Sequence, residues 1–421
     1  MPLPWIKDFR YTRRFAEEDE IASQFFEKYV MYPCNSNSLP GFLEHLPVLF
    51  HEARVESRKA LRCAVLSASY ASIAAGSGNS EMEKKALELY GEALCALGDA
   101  LKSNTEPPDG YVLMTIVVLD IFETVYLGQS ASDSSHAEGM KLVLRLRGPN
   151  QIYGPRGWSL FRLAHHRLLK QQLAYSLDPM PESELWLGAL NEDLPHIRGE
   201  KDNYQIIKTC SRARQILIDF ENERLESGQV LEMVNEMHRL DRSTTTWRNS
   251  TNWAYQTRPR GNLFDRADSL EYFPDYVQIH PDVWIAYEWN YHRTARVILH
   301  EQLLGILDRL SPTTGVDALT LAALQALKDT STTLIQSLTD EILSTVPQML
   351  GIIDHNGESL SDSRTVTLCQ GVGGYLLLWP IRVIKETKSA QPKQKAAAQS
   401  IFERIRENTR MKDVLGDMSD V

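Results

Sequence analysis

Apolar residues along this chain recur three or four positions apart over long stretches, separated by polar or proline-containing connections, and this spacing predicts one helix after another. The clearest stretch runs from Tyr111 to Gly148. Met114, Val118, Ile121 and Val125 form one apolar stripe; Leu119, Phe122 and Tyr126 form a second. A helix apolar on two faces is surrounded by protein on most sides. Asp109 is placed to cap it. A turn of small polar residues (GQSASDSS, 128–135) leads into a second helix, where Ser135 and Glu138 read as a capping box. Gly148 followed by Pro149 supplies the stop.

The same periodicity predicts helices on either side. Residues 17–31 open with acidic residues, which suits the helix dipole. Leu61–Ala75 is small and apolar, as where helices approach closely. From about Ser80 a seam runs through Leu87, Tyr90, Leu94, Leu97 and Leu101. Downstream, Trp158–Leu177 and one or two helices over 201–240 follow. A long helix over Asp282–Leu310 carries a seam of Ile285, Trp289, His292, Arg296, Leu299, Leu303 and Ile306. Residues 317–345 present Leu319, Ala322, Ala326, Leu334 and Leu338. Leu368–Lys385 is strongly apolar, and 393–409 is basic and amphipathic. Between 241 and 281 the period fails. Trp247, Trp253, Tyr255, Phe264, Tyr272, Phe273 and Tyr276 make this long loop a cover rather than a disordered linker, because disordered segments are poor in aromatics. The Asn356-Gly357 pair lacks alternating apolar flanks, so no β-hairpin is predicted. The expected fold is all-α, a multi-helix bundle of stacked antiparallel helical hairpins. The expected organisation is an N-terminal arm (1–19), one helical domain (20–410) and a loosely ordered tail (411–421).

At 421 residues the chain can bury a large core without staples. Its formal charge of −10 argues against a duplex-binding surface spread over the whole body. The five cysteines (Cys34, Cys63, Cys95, Cys210, Cys369) stand far apart without a CxxC pair, so no metal site is expected. No apolar signal segment opens the sequence, and the uncharged run between Arg364 and Arg382 falls short of a span. The expectation is an intracellular chain, nuclear or cytoplasmic, with no membrane partner.

Several blocks resemble the fungal-specific transcription factor domain: YGEALCAL at 90–97, IFE at 121–123, HAEGMKLVLRLRG at 136–148, IHPDVWIAYEWNYHRTARVILH at 279–300, and VPQMLG at 346–351 leading to GGYLLLWPI at 373–381. They stand in order and cover roughly 20–410. The resemblance implies an all-helical regulatory region of the kind found beside a binuclear zinc-cluster DNA-binding module. That module needs six closely spaced cysteines and a basic arm, and neither stands in this sequence. No direct DNA binding is therefore expected. Two readings follow. In one, the chain is a transcription-regulator-like domain acting through protein partners, a homodimer or a bound small molecule. In the other, it is an enzyme of fungal secondary metabolism that binds and transforms an apolar small molecule in a helical cavity. The family carries no catalytic motif and no cofactor is expected.

Glu288, His292 and Arg296 recur at i, i+4 and i+8, a polar ladder down an apolar helix. Glu288 and His292 are the candidate acid/base pair. Trp253, Tyr255, Trp284, Tyr287, Tyr291 and Arg296 are the candidate ligand-binding wall, with His136 a further polar contact. Each has a bland alternative: a charge ladder buried against another helix, or a histidine satisfied within the fold. Asp120 and Glu123, three apart, are expected to pair with Arg145 and Arg147. His165 and His166 are adjacent and expected to point apart. GVGG (371–374) reads as a packing feature, and Arg382–Lys395 as a solvated face.

Overall fold

The structure is a computed structural model. It describes residues 4–32, 40–102, 107–127, 135–154, 156–191, 193–245, 253–260, 272–310, 318–358, 360 and 369–409. The turn at 128–134, the loop residues Trp247 and Phe264, and the tail at 411–421 lie outside the described residues.

The fold is all-α, as the periodicity predicts. In chain order the helices are α1 (Pro4–Tyr29), α2 (Leu46–Glu52), α3 (Lys59–Ser77), α4 (Ser80–Lys102), α5 (Gly110–Phe122), α6 (Ser135–Arg147), α7 (Gly157–Ala174), α8 (Glu182–Gly188), α9 (Pro195–Glu221) and α10 (Ser227–Ser243). After a strand pair come α11 (Val283–Leu310), α12 (Ala318–Leu343), α13 (Val346–Met349), α14 (Cys369–Glu386) and α15 (Pro392–Thr409). Helices adjacent in sequence pack on one another: α3 on α4, α5 on α6, α9 on α10, α11 on α12 and α14 on α15. Helix α1 lies against both α3 and α14, and so ties the first helices of the chain to the last.

The caps behave as their chemistry requires. The Asp109 carboxylate accepts from the Tyr111 and Val112 amides at 2.9 and 3.1 Å. Gly148 stops α6 at φ 69°, a conformation that side chains resist. Ser135 is already the first residue of α6, so it stands inside the helix and not at the cap before it. Helix α5 gives way to a π-helical turn, Glu123–Leu127. Together Gly110–Leu127 have the length and hydropathy of a membrane span, yet 67% of that stretch is buried within the protein.

Two predicted faces are corrected. Helix α4 buries Ala86, Leu89, Ala93 and Leu97, while Leu87 and Leu94 are exposed. The leucine seam misled because α3 offers a surface of alanines and serines, on which alanine packs closest. Helix α12 buries Leu324, Ile335, Leu338 and Ile342, and leaves Ala322 and Ala326 exposed; the Leu319 side chain lies outside the description. Helix α1 also starts well before residue 17.

The predicted 241–281 loop is a correction too, because it contains an antiparallel strand pair, β1 (Gln256–Pro259) with β2 (Tyr276–Ile279). Four-residue strands joined by a long connection carry neither alternation nor a tight-turn signature. The Gln348 side chain pins β2 by donating to the His280 carbonyl at 2.7 Å and accepting from the His280 amide at 2.8 Å. The Trp289 indole N–H donates to the Trp253 carbonyl at 3.0 Å. Helix α11 lies beneath this cover, and residues 283–297 are buried without a break. It touches α9, α10, α12, α13 and α14.

Candidate functional site

The ladder on α11 fans out to three different helices. Glu288 takes Arg162 of α7 (Nη2 to Oε1, 2.7 Å). His292 Nδ1 lies 3.0 Å from Asn203 Oδ1 of α9. Arg296 makes a two-pronged pair with Asp241 of α10, Nε at 2.6 Å and Nη2 at 2.9 Å, and His300 Nε2 adds a contact at 3.4 Å. Burial would raise the Asp241 pKa, but Arg296 and His300 outweigh it and hold the carboxyl well below the usual range. A four-residue period turns the side chains slowly around a 3.6-residue helix, so successive rungs meet successive neighbours.

Arg162 and Glu288 belong to a larger network. Glu200 of α9 is wholly buried. Its two oxygens lie 2.7 Å from His165 Nδ1 and 3.2 Å from His166 Nδ1, and Arg162 Nε is 3.8 Å away. The adjacent histidines expected to point apart therefore converge on one carboxylate, which is long enough to bridge both rings. Burial alone would raise the Glu200 pKa, yet the two histidine hydrogen bonds carry it far below the ordinary range. His165 Nε2 continues to Ser183 Oγ at 2.9 Å, and His166 Nε2 to the Tyr287 hydroxyl at 3.1 Å. Burial opposes charge on Arg162 as well, but Glu288 and Glu200 prevail and raise its pKa. Buried charges survive only when paired in this way.

The predicted aromatic wall is a packed layer. Trp284 stacks on Tyr287 with centroids 5.1 Å apart and donates its N–H to the Pro40 carbonyl at 2.9 Å. Tyr291 sits between His166 (3.8 Å) and Trp379 (5.1 Å). Tyr255 meets Trp289 edge-on at 5.0 Å, and the guanidinium of buried Arg293 lies over both rings. Trp253 is buried beside them. His136 is distant from this layer in the chain and in partner: its Nε2 lies 2.6 Å from Glu123 Oε1, which also accepts from the Tyr90 hydroxyl. Asp120 pairs with Arg167 of α7, whereas Arg145 pairs with Glu182 and Arg147 bonds Gln151 and the Pro108 carbonyl. The expected partnership with the returning helix fails because Asp120 and Glu123 face different neighbours.

Two spaces flank Arg167. The inner one, of about 30 Å³, is bordered by Trp284, Tyr287, His166 and Phe42. The outer one is a cleft between α7 and α14, closed at its ends by α6 and by Phe402 of α15. Arg167, Lys170 and Tyr375 border both. Neither Glu288 nor His292 borders either space. Residues that sequence reasoning passed over thus build the accessible chemistry: Arg167 and Lys170 from α7, Tyr375, Trp379 and Arg382 from α14. The signal was present as matched spacings, 167-170-171-174 and 375-378-379-382, each one face of a helix. Arg382, read as part of a solvated stretch, is half-buried in the cleft.

No protein-family model matches the chain, and no solved structure matches it. Over 307 residues it is 22% identical to the transcription factor dbaG of Emericella nidulans, an alignment covering 70% of this chain and 68% of that protein. The chain is a distant relative of a protein that bears the name of a transcription factor.

Proposed function

We propose that this chain is a regulator of transcription working in the nucleus, whose output passes through protein partners and responds to a bound small molecule. The alignment over 307 residues with a protein named as a transcription factor carries this reading. The ordered sequence blocks and the all-helical architecture support it. These 421 residues hold no six-cysteine cluster, so reading of promoter sequence is not part of the role proposed for them. Glu288, His292 and Arg296 serve in this reading as ties between helices. The test is to tether the chain to an unrelated DNA-binding module upstream of a reporter in a filamentous fungus. At least a fivefold change in reporter transcript is expected. Transcript within twofold of the untethered control, at matched nuclear abundance of the fusion, refutes the proposal.

A further inference from the structure

Helix α4 carries a second apolar seam, and this one faces away from the core. Leu87, Gly91, Leu94, Gly98 and Leu101 follow one another at intervals of four, three, four and three, the spacing of a coiled-coil seam. The helix packs on α3 and α5 and buries Ala86, Leu89, Ala93 and Leu97, while Leu87 is left 47% and Leu94 37% exposed. Leu101 is half-buried at the end of the stripe. The two glycines have no packing task inside the molecule. A Cβ at Gly91 or Gly98 would meet no atom within 4 Å among the described residues, whereas one at Gly157 would stand 2.0 Å from the Gln151 carbonyl oxygen. Glycine within a helix is disfavoured relative to alanine, so its use where alanine has room suits a close approach from outside. Exposed leucine ridges and bare backbone therefore alternate along one side of a helix of 23 residues.

The charges beside the seam decide what fits it. Glu81 flanks it at the start of α4 and Lys102 flanks it on the same side at the end; both are exposed, and Lys102 also lies 3.4 Å from Asp99 of its own helix. We infer that this face binds a second copy of the chain, with the two α4 helices antiparallel and a two-fold axis passing between Glu92 and Ala93. Leu87 of one copy then fills the gap over Gly98 of the other, Leu94 fills that over Gly91, and symmetry repeats both contacts. The same register brings Glu81 beside Lys102 of the second copy, so opposite charges meet at both ends. A parallel pairing sets leucine on leucine, leaves glycine facing glycine across a gap, and opposes Glu81 to Glu81 and Lys102 to Lys102. A foreign helix of one charge sign meets only one favourable end. This names one of the protein partners proposed above, and rests on that reading only for its consequence in transcription.

The test uses the purified chain. Sedimentation velocity is expected to show a monomer–dimer equilibrium with a Kd of about 10 μM or tighter. Gly91→Gln combined with Gly98→Gln is expected to raise Kd at least tenfold, and Leu87→Gln combined with Leu94→Gln likewise. The glutamines have open space in the monomer, so the glycine variant should keep its circular dichroism. Its unfolding temperature, read at a concentration where the parent is monomeric, should be no lower than the parent's. Leu142→Gln combined with Leu146→Gln, which removes equally exposed leucines from α6, is expected to leave Kd within twofold. Lys102→Glu is expected to raise Kd at least threefold, and Glu81→Lys added to it to restore Kd within twofold of the parent. Direction is read with a short bis-maleimide and the exposed thiol of Cys95. Glu88→Cys should be linked to Cys95 of the second copy, and Glu88→Cys combined with Cys95→Ser should not be linked, whereas parallel helices link in both. A monomer up to 200 μM, which leaves the face to another protein or to none, overturns the inference. So does an unchanged Kd in the glycine variant, or linkage of Glu88→Cys combined with Cys95→Ser. Because association is read without a reporter, a dimer with a silent tethered fusion removes the regulator and leaves the interface. An active fusion of a monomeric chain does the reverse.

Discussion

Arg162 is the residue whose loss the structure makes most consequential. It is 3% exposed, 2.7 Å from Glu288 and 3.8 Å from Glu200. With an effective dielectric of about 20, those separations correspond to roughly 6 and 4 kcal/mol of gross attraction, offset in large part by the desolvation of three charges. The asymmetry between partners survives that offset. Arg162→Met strands the buried Glu288 carboxylate and leaves Glu200 to its two histidines, and removal of one partner from such an arrangement costs about 4 kcal/mol. Glu288→Gln strands none, since Arg162 keeps Glu200 and can donate to the new amide oxygen; its cost is about 1 kcal/mol. Melting of 421 residues carries an entropy of roughly 0.9 kcal/mol/K, at about 2.1 cal/mol/K per residue. Thermal unfolding followed by circular dichroism should therefore show Tm lowered by about 4–5 °C for Arg162→Met and by about 1 °C for Glu288→Gln. Equal shifts in the two variants, or a larger one for Glu288→Gln, would refute the shared-cation account of this network.

Three further outcomes are expected. His196 is pushed down to about 4 by burial and then by the nearby Arg162 charge, with Glu200 opposing. Below its ordinary value of 6.5 the unfolded chain takes up a proton that the folded chain refuses, so acidification from pH 6.5 to about 4 removes up to about 3 kcal/mol. His196→Gln should flatten Tm against pH across that window, and an unchanged slope would count against the assignment. A Cβ at Gly373 would stand 1.8 Å from the Met349 carbonyl oxygen, and one at Gly371 2.9 Å from that of Lys28. Gly373→Ala should thus cost about 3 kcal/mol or more and exceed Gly371→Ala, as read by urea midpoints. Gln348→Ala leaves the His280 amide and carbonyl without their partner. It should cost about 2 kcal/mol and hasten proteolytic cleavage between β1 and β2; a cleavage rate equal to the parent's would show that the strand pair is held by other means.

The helices were legible because periodicity reports burial, and burial dominates here. The caps at Asp109 and Gly148 were legible for the same local reason: a carboxylate two residues before orphan amides, and a glycine where φ turns positive. What failed were statements about which neighbour a residue meets. The α4 seam was misplaced because leucine is the more hydrophobic residue, while alanine fits the small-residue face of α3. The polar ladder was seen at the correct spacing, but Arg162, Glu200, Asn203 and Asp241 lie far from it in sequence, and no local pattern points to them. The α7–α14 cleft escaped for a related reason. Each wall reads alone as an ordinary amphipathic helix, and only their meeting makes a cleft.

Helix α11, buried over residues 283–297, also dictates an order of events during synthesis. At about 5–20 residues per second, Arg162 emerges roughly 6–25 s before Glu288. Through that interval α7 and α9 have no α11 to lie against, and Arg162, His165, His166 and Glu200 must stay hydrated, because nothing yet encloses them. The growing chain can close α3 on α4 and α5 on α6 early, but its central charges are sealed only when the last third has been made. A ribosome that stops before residue 283 therefore releases a chain whose first helices can pair and whose middle cannot close. Such a product is a substrate for chaperones and proteases rather than a working fragment.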